Sequence, residues 1–252
     1  MAGHSHWAGI KHKKGANDAK RGKLFSKLAK LIISAARGGG GDPDANLKLK
    51  YAIERARASS MPLTNIDRAI ARGTGEVEGE RFEDLTYEGY GPSGVAVLLE
   101  VLTDNRNRTG AEVRKIFDSN GGKLDRPGCV SYLFDKKGLI SVSRGDDVDD
   151  EKLFEVALEA NADEIEEDER AFEITCAPED FMELKNAVDS AGYESEVAEI
   201  GFLPQSRVQL DDESARKVLS LMEALEDHDD IQAVHANFEI PESILQELEQ
   251  EA

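Results

Sequence analysis

The first third of the chain has apolar residues at steps of three and four, which is the spacing of amphipathic helices. The pattern predicts a helix over about 18–36, a second helix that starts at Asp42, and a third over 64–73. Asp42 is the expected N-cap of the second helix, and Thr64 with Asp67 resembles a capping box. Three short helices with tight connections predict a small bundle. Its expected inward-facing residues are Leu24, Leu28, Leu31, Ile32, Ala35, Leu49, Ala52, Ile53, Ala56, Ile66, Ala69 and Ile70.

After this segment the pattern changes to short strands alternating with helices. Strands are predicted at 81–88, 95–103, 130–134, 139–143, 163–167, 170–176, 193–202, 207–210 and 231–236, and helices at 109–120, 149–160, 179–191, 211–226 and 242–249. From the strand at 139–143 onward the order is β-α-β-β-α-β, the ferredoxin-like unit. We therefore predict an α+β multidomain protein. It comprises an N-terminal three-helix domain and two α/β domains, one of them ferredoxin-like and inserted in the other.

This interpretation divides the chain into three domains. Residues 1–77 form a basic arm and the helical domain, 78–135 with 204–252 form a discontinuous α/β domain, and 136–203 form the inserted ferredoxin-like domain.

Charge is distributed unevenly over the 252 residues, whose formal net charge is −20. Residues 1–75 carry fifteen Lys and Arg against five acids, whereas residues 146–252 carry six against thirty-four. A cationic segment on an anionic chain predicts an anionic partner outside the chain, and nucleic acid is the obvious class. The acidic region has two interpretations: a soluble surface that needs no partner, or a surface that keeps the body away from phosphate.

The basic segment contains a predicted flexible arm followed by a lysine stripe along the first helix. Lys20, Lys23, Lys27 and Lys30 step by 3, 4 and 3 residues and so share one face. A solvated helix face is the alternative for this stripe. The predicted phosphate contacts are Lys11, Lys13, Lys14, Lys20, Arg21, Lys23, Lys27 and Lys30, with Arg106 and Arg108 as a second zone in a loop before a helix. His6, Trp7 and His12 are candidates for stacking on bases, and Trp7 has an alternative role in the bundle core.

Other motifs give no sign of catalysis. Gly89, Gly91 and Gly94 match G-x-G-x-x-G, but a strand follows them where a dinucleotide loop requires a helix, so a hairpin turn is predicted. His4 and His6 are too few for a closed metal site. No nucleophile and base lie in a supporting motif. We expect no enzyme activity, no metal, no cofactor and no small-molecule substrate, and no apolar run is long enough for a membrane helix.

Five stretches carry a resemblance to a known family. They are GHSHWAGIKHKKGANDAKRGKLFSKLAKLI, AARGGGGDPDANLKLKYAIERARASSMP, NIDRAIARGTG, LTYEGYGPSGVAVLLEVLTDNRNRTGAEVRKIF and GFLPQS. Together they resemble the YebC/PmpR family, whose mitochondrial relatives are translational activators of cytochrome c oxidase subunit I. The resemblance implies the same three-part fold and a non-enzymatic role, either as a DNA-binding transcriptional regulator or as a ribosome-associated factor that helps translation through proline runs. The chain departs from the family pattern at His6 and at 125–127.

These observations predict a cytoplasmic, monomeric, nucleic-acid-binding regulator of gene expression. Ribosomal RNA on the ribosome is the favoured target, because a flexible arm of Lys, Gly and His suits folded RNA better than reading a duplex groove. Two alternatives stay open: a regulator that binds promoter DNA, and a protein-interaction module.

Overall fold

The computed structural model describes residues 18–78, 81–145, 149–167, 171–241, 243, 244 and 247. Its elements in chain order are α1 Asp18–Gly39, α2 Leu47–Ala58, α3 Leu63–Thr74, β1 Glu83–Tyr90, β2 Ala96–Thr103, α4 Arg106–Ser119, β3 Lys123–Leu124, β4 Phe134–Ser143, α5 Asp150–Glu159, β5 Ala162–Glu167, β6 Ala171–Cys176, α6 Phe181–Ser190, β7 Ser195–Pro204, β8 Val208–Gln209, α7 Asp212–Glu226, β9 Ile231–Ala236 and β10 Phe238–Glu239. Among the described residues, one compact unit comprises 18–129 with 216–234, and the other comprises 130–215 with the residues from 235 onward. The three-domain division made from the sequence stays a prediction.

Helices α1, α2 and α3 form the predicted bundle. All four residues predicted to face inward on α2 are buried. On α1 the prediction was partly wrong, because Leu24 is 41% exposed and Ile33 and Ala36 are buried instead. The difference follows from packing, because α1 contacts both α2 and α3. The buried residues of α1 therefore lie mainly in its C-terminal half and cover a wider face than the predicted single stripe.

The caps predicted for α2 and α3 were wrong. The N-cap of α2 is Asn46, whose side-chain oxygen accepts from the Leu49 amide at 3.1 Å. The Asn46 amide group also donates to the carbonyls of Ala35 and Gly40, at 2.9 Å each. Asp42 instead accepts from a backbone amide two residues on, which closes the turn before the helix. Likewise α3 has no side-chain cap and runs beyond the predicted end to the left-handed Gly75, so the capping box is absent.

The first sheet has the order β3-β1-β2-β9. Strands β1 and β2 pair antiparallel along their full lengths, and the Gly-rich segment between them is the predicted hairpin turn, in which Gly94 has a φ of +77°. Helix α4 begins at Arg106, three residues before the predicted start. Strand β9 has its predicted bounds and completes the sheet beside β2.

The second four-stranded sheet confirms the ferredoxin-like unit. Its chain order is β4-α5-β5-β6-α6-β7 and its spatial order is β5-β6-β4-β7, with every recorded pair antiparallel. The separate strands predicted at 130–134 and 139–143 were wrong, because 131–133 is a 3-10 turn and β4 is continuous. Gly138 explains the misreading: a Cβ there would lie 2.7 Å from the Cys176 sulfur, so close packing requires glycine inside the strand.

The two remaining short strands, β8 and β10, pair in parallel. The helix predicted over 242–249 lies mostly outside the described residues. Among the helices that the structure describes, none is both long and apolar enough to span a membrane.

Candidate nucleic-acid interface

The lysine stripe of α1 contacts the turn that joins α7 to β9, called here the 226–230 turn. The Lys23 ammonium group lies 2.6 Å from a carboxylate oxygen of Asp227, and the Lys27 ammonium donates to the Glu226 carbonyl at 2.6 Å. That carbonyl belongs to the last residue of α7, where the helix leaves its acceptors unsatisfied and carries a partial negative charge. The stripe therefore caps the C-terminus of a helix about 200 residues away.

Lys30 lies deeper in the same contact. Its ammonium group donates to a carboxylate oxygen of Asp230 at 2.7 Å and to the Asp229 carbonyl at 3.1 Å. The Lys30 side chain is 16% exposed and that of Asp230 only 5%. This pair is thus largely removed from solvent.

Asp230 connects the helical bundle to the first sheet. Its second carboxylate oxygen accepts from Arg108 and from the Thr109 hydroxyl, at 2.7 Å each, while its backbone carbonyl accepts from the Leu102 amide of β2. Burial of the carboxyl opposes its ionisation, but the hydrogen bonds from Lys30, Arg108 and Thr109 outweigh burial and hold the pKa of Asp230 well below its ordinary value. The carboxylate is therefore charged at neutral pH and accepts from three side chains.

The contact becomes more exposed toward the N-terminal end of α1. Lys23 is 44% exposed and its partner Asp227 is 69% exposed, and the hydrogen bond to Asp227 raises the pKa of Lys23. An exposed pair of this kind contributes about 0–1 kcal/mol and is screened by salt. The stripe is therefore divided: Lys30 is held in the structure, whereas Lys23 can exchange its partner for another anion at little cost.

Arg106 and Arg108 were predicted to lie in a loop, but the structure places them in the first turn of α4. Asn105 is the N-cap and accepts from the Arg108 amide at 3.1 Å. The Arg108 guanidinium pairs with Asp230 and with Asp104, which raises its pKa. Arg106 is exposed, and its backbone carbonyl accepts from the Tyr87 hydroxyl. Their contact with phosphate stays a prediction.

The other predicted contacts divide by position. Arg21 is exposed on α1, and its guanidinium carbon lies 5.7 Å from the centre of the Phe25 ring. Lys20 is helical, but its side chain is not described. The remaining predicted residues lie outside the described residues: His6, Lys11, Lys13 and Lys14, with Trp7 and His12.

Sequence reasoning missed two features of this surface. The acidic partner of the stripe is the segment Glu-Asp-His-Asp-Asp at 226–230, and a run of opposite charge was its only signal. Arg68 and Arg72 are exposed one turn apart on α3, and their four-residue spacing was visible in the sequence.

One cluster has the composition of a metal site. Ligand atoms of Glu112, His228 and Asp230 lie within 4.8 Å of one another. The His228 Nε2 lies 3.0 Å from the Glu112 carboxylate, and its Nδ1 accepts from the Asp230 amide. Both carboxylate oxygens of Asp230 already accept from cationic donors, Lys30 and Arg108. A metal ion would have to displace these donors and would be repelled by their positive charge. The cluster is therefore best described as a hydrogen-bonded network.

Comparison with known proteins identifies the family. A family model described as the TACO1/YebC protein N-terminal domain matches residues 5–76, and one described as the TACO1/YebC second and third domain matches residues 82–238. The chain belongs to the TACO1/YebC family. The resemblance seen in the sequence is thereby confirmed.

Full-length relatives in the TACO1/YebC family are close in sequence and structure. A probable transcriptional regulatory protein of Geobacter sulfurreducens is 52% identical over 248 residues, covering 98% of this chain and 100% of that protein. Another of the same description, from Dictyoglomus turgidum, is 50% identical with the same coverage. The crystal structure of a conserved hypothetical protein of Aquifex aeolicus matches with a TM-score of 0.80 at 50% identity, covering 91% of this chain and 94% of that chain.

Proposed function

We propose that this TACO1/YebC family member is a non-enzymatic regulator of gene expression that binds ribosomal RNA at the ribosome, as a cytoplasmic monomer. One observation carries the proposal. Residues 1–75, which comprise the helical bundle and the segment before it, carry fifteen Lys and Arg against five acids, within a chain whose net charge is −20. Clustered like charges repel one another, which opposes folding, and an anionic partner would neutralise them.

The division of the lysine stripe narrows the contact surface. Lys30 already has a buried carboxylate partner, so it is a poor candidate for phosphate. Lys23, Arg21 and Lys20 lie at the end of α1 that continues into the basic segment at 1–17, and the pair between Lys23 and Asp227 is exposed. We therefore assign phosphate contact to the N-terminal turns of α1 and the preceding segment, and a structural role to the deeper lysine.

RNA is preferred to duplex DNA because of the kind of contact available. Lysines position a backbone but specify little sequence. A duplex regulator requires a helix that presents several Asn, Gln or Arg side chains to base edges in the major groove. Of the described exposed residues at the start of α1, which are Arg21, Gly22, Lys23 and Leu24, one is of that kind. Contacts to phosphate without base readout suit the folded backbone of ribosomal RNA.

The test is binding of the full chain to ribosomal RNA across a salt series. The variant Lys20→Gln, Arg21→Gln, Lys23→Gln should bind more weakly, and its slope of log affinity against log salt should fall by about 2, at roughly 0.7 for each phosphate contact. A matched control, Lys115→Gln, Lys123→Gln, Lys136→Gln, removes three exposed lysines outside the helical bundle. Equal loss in the two variants would contradict the assignment to α1.

Promoter DNA is the second candidate, and the description of the relatives as probable transcriptional regulatory proteins favours it. Duplex fragments in the same assay separate the two functions. Preference for a specific duplex over ribosomal RNA at the same salt concentration would replace the ribosomal proposal with the transcriptional one.

A further inference from the structure

A groove of about 310 Å³ lies between α1 and α3. The two helices are in close contact at Gly73, where a Cβ would lie 2.6 Å from the Ala36 Cβ and 2.7 Å from the Ile33 carbonyl oxygen. Apart from Ile33, which is part of this contact, the groove residues on both helices precede it. Because a backbone contact fixes where the helices meet, the opening beside it is a feature of the fold and does not depend on one side-chain rotamer.

The floor of the α1–α3 groove is apolar. It is formed by residues that face each other across the two helices and the turn before α3: Phe25, Ala29, Ile33, Met61 and Ala69. Phe25 is half-buried, so one part of its ring packs on the core and another part faces the groove. A flat apolar ligand that covers this floor would remove apolar surface from water.

The rim of the groove is cationic. Arg68 and Arg72 stand one helical turn apart on α3, Asn65 lies one turn before Arg68, and Arg21 lies over the Phe25 ring on the α1 side. None of the lining residues is acidic, and among the described residues no carboxylate pairs with Arg68 or Arg72. Guanidinium groups at this spacing suit successive phosphates, since each can bind two oxygens of one phosphate.

We propose that the α1–α3 groove binds an unpaired nucleic-acid strand, with a base against the apolar floor and the adjoining phosphates on Arg68 and Arg72. The inference rests on the proposed function and specifies which form of nucleic acid the bundle takes. A duplex keeps its base faces stacked and cannot reach the floor of a groove between two helices, whereas unpaired bases can lie on aromatic and apolar side chains. An acidic peptide would satisfy the arginines, but it supplies no flat ring for Phe25.

Two variants of the full chain test the floor and the rim separately. Gly22 lines the groove, and a Cβ added there meets no heavy atom within 4 Å, so Gly22→Leu places an apolar side chain beside the groove without a change of charge. Its control is Gly38→Leu, at an equally open position on the same helix, away from the groove. Arg68→Gln with Arg72→Gln removes the rim charges, and its control is Lys48→Gln with Arg57→Gln on the exposed face of α2.

Affinity is measured by fluorescence anisotropy with a short labelled oligouridylate, and folding of each variant is checked by circular dichroism. Gly22→Leu should lower affinity about tenfold, which is the scale of one lost base contact. The arginine variant should lower affinity by a similar factor and reduce the salt slope by about 1.4. Both controls should stay within about twofold of the unmodified chain.

Several results would overturn the proposal. Loss in the arginine variant with full affinity in Gly22→Leu would exclude a base on the floor. In another outcome, an acidic peptide binds the unmodified chain and loses its binding in these variants while oligouridylate binding is unchanged. That result would assign the groove to a protein partner. Unchanged binding of ribosomal RNA and oligouridylate in all variants would reject the groove but keep the proposed function, whereas an unmodified chain that binds neither would reject both.

Discussion

Replacement of Asp230 should destabilise the unit formed by 18–129 and 216–234. Asp230→Asn keeps the volume of the side chain and removes its charge. The Lys30 ammonium group, 16% exposed, would then face a neutral amide, and Thr109 and Arg108 would compete for the one remaining oxygen. Removal of one partner from a buried ion pair costs about 3–5 kcal/mol. We expect about 3 kcal/mol, because Arg108 keeps Asp104 and access to water.

The assay is urea unfolding at neutral pH, followed by circular dichroism, with Asp227→Asn as the matched control. That control removes the same charge from the same turn, but its pair with Lys23 is exposed, so we expect a loss of at most about 1 kcal/mol. A double-mutant cycle of Lys30→Met with Asp230→Asn should give a coupling free energy of about 1–3 kcal/mol. Equal destabilisation by Asp230→Asn and Asp227→Asn would refute the view that burial divides the lysine stripe.

Three further stability predictions follow from single contacts. The stability advantage of the unmodified chain over Asp230→Asn should be constant above about pH 5 and shrink as the pH falls below about 4. A carboxyl whose pKa is lowered in the folded state contributes stability above its unfolded-state pKa, and this contribution is lost as the group protonates. Urea unfolding at several pH values measures the advantage, and an advantage that grows on acidification would contradict this prediction. Gly73→Ala should destabilise by about 1–3 kcal/mol, since its Cβ would clash with Ala36, whereas Gly38→Ala should be neutral or stabilising; equal thermal midpoints would exclude the close helix contact. Asn46→Ala removes the N-cap of α2 and two hydrogen bonds to carbonyls, so the free energy of unfolding should fall by about 2 kcal/mol. Asp42→Ala should lower it by less, and the reverse order would favour Asp42 as the cap.

Local pattern was sufficient for most of the fold. The three helices, the hairpin after β1 and the ferredoxin-like order could be predicted because each depends on periodicity and turn residues within a short window. The failures are tertiary. Asn46 replaces Asp42 as the cap because its amide also reaches Ala35 and Gly40, and Gly138 looks like a strand break although β4 packs against α6 there.

The candidate site was predictable in part, for the same reason. The spacing of Lys23, Lys27 and Lys30 placed them on one face, but nothing local indicates that a turn 200 residues later lies over that face. Arg106 and Arg108 were predicted beside a helix N-terminus, and the structure places them inside the first turn, where Asp230 already engages the second of them. A pattern of charge identifies which side chains share a face, whereas the choice between an internal and an external partner depends on the tertiary contacts.

Co-sedimentation with ribosomes tests most directly whether the basic N-terminal region binds ribosomal RNA. The full chain and a chain that lacks residues 1–17 are compared across a salt series, so that α1 is kept intact. We expect the full chain to sediment with ribosomes, the bound fraction to fall steeply as salt rises, and the truncated chain to be released at lower salt. Binding that is independent of salt and unchanged by the truncation would contradict this expectation.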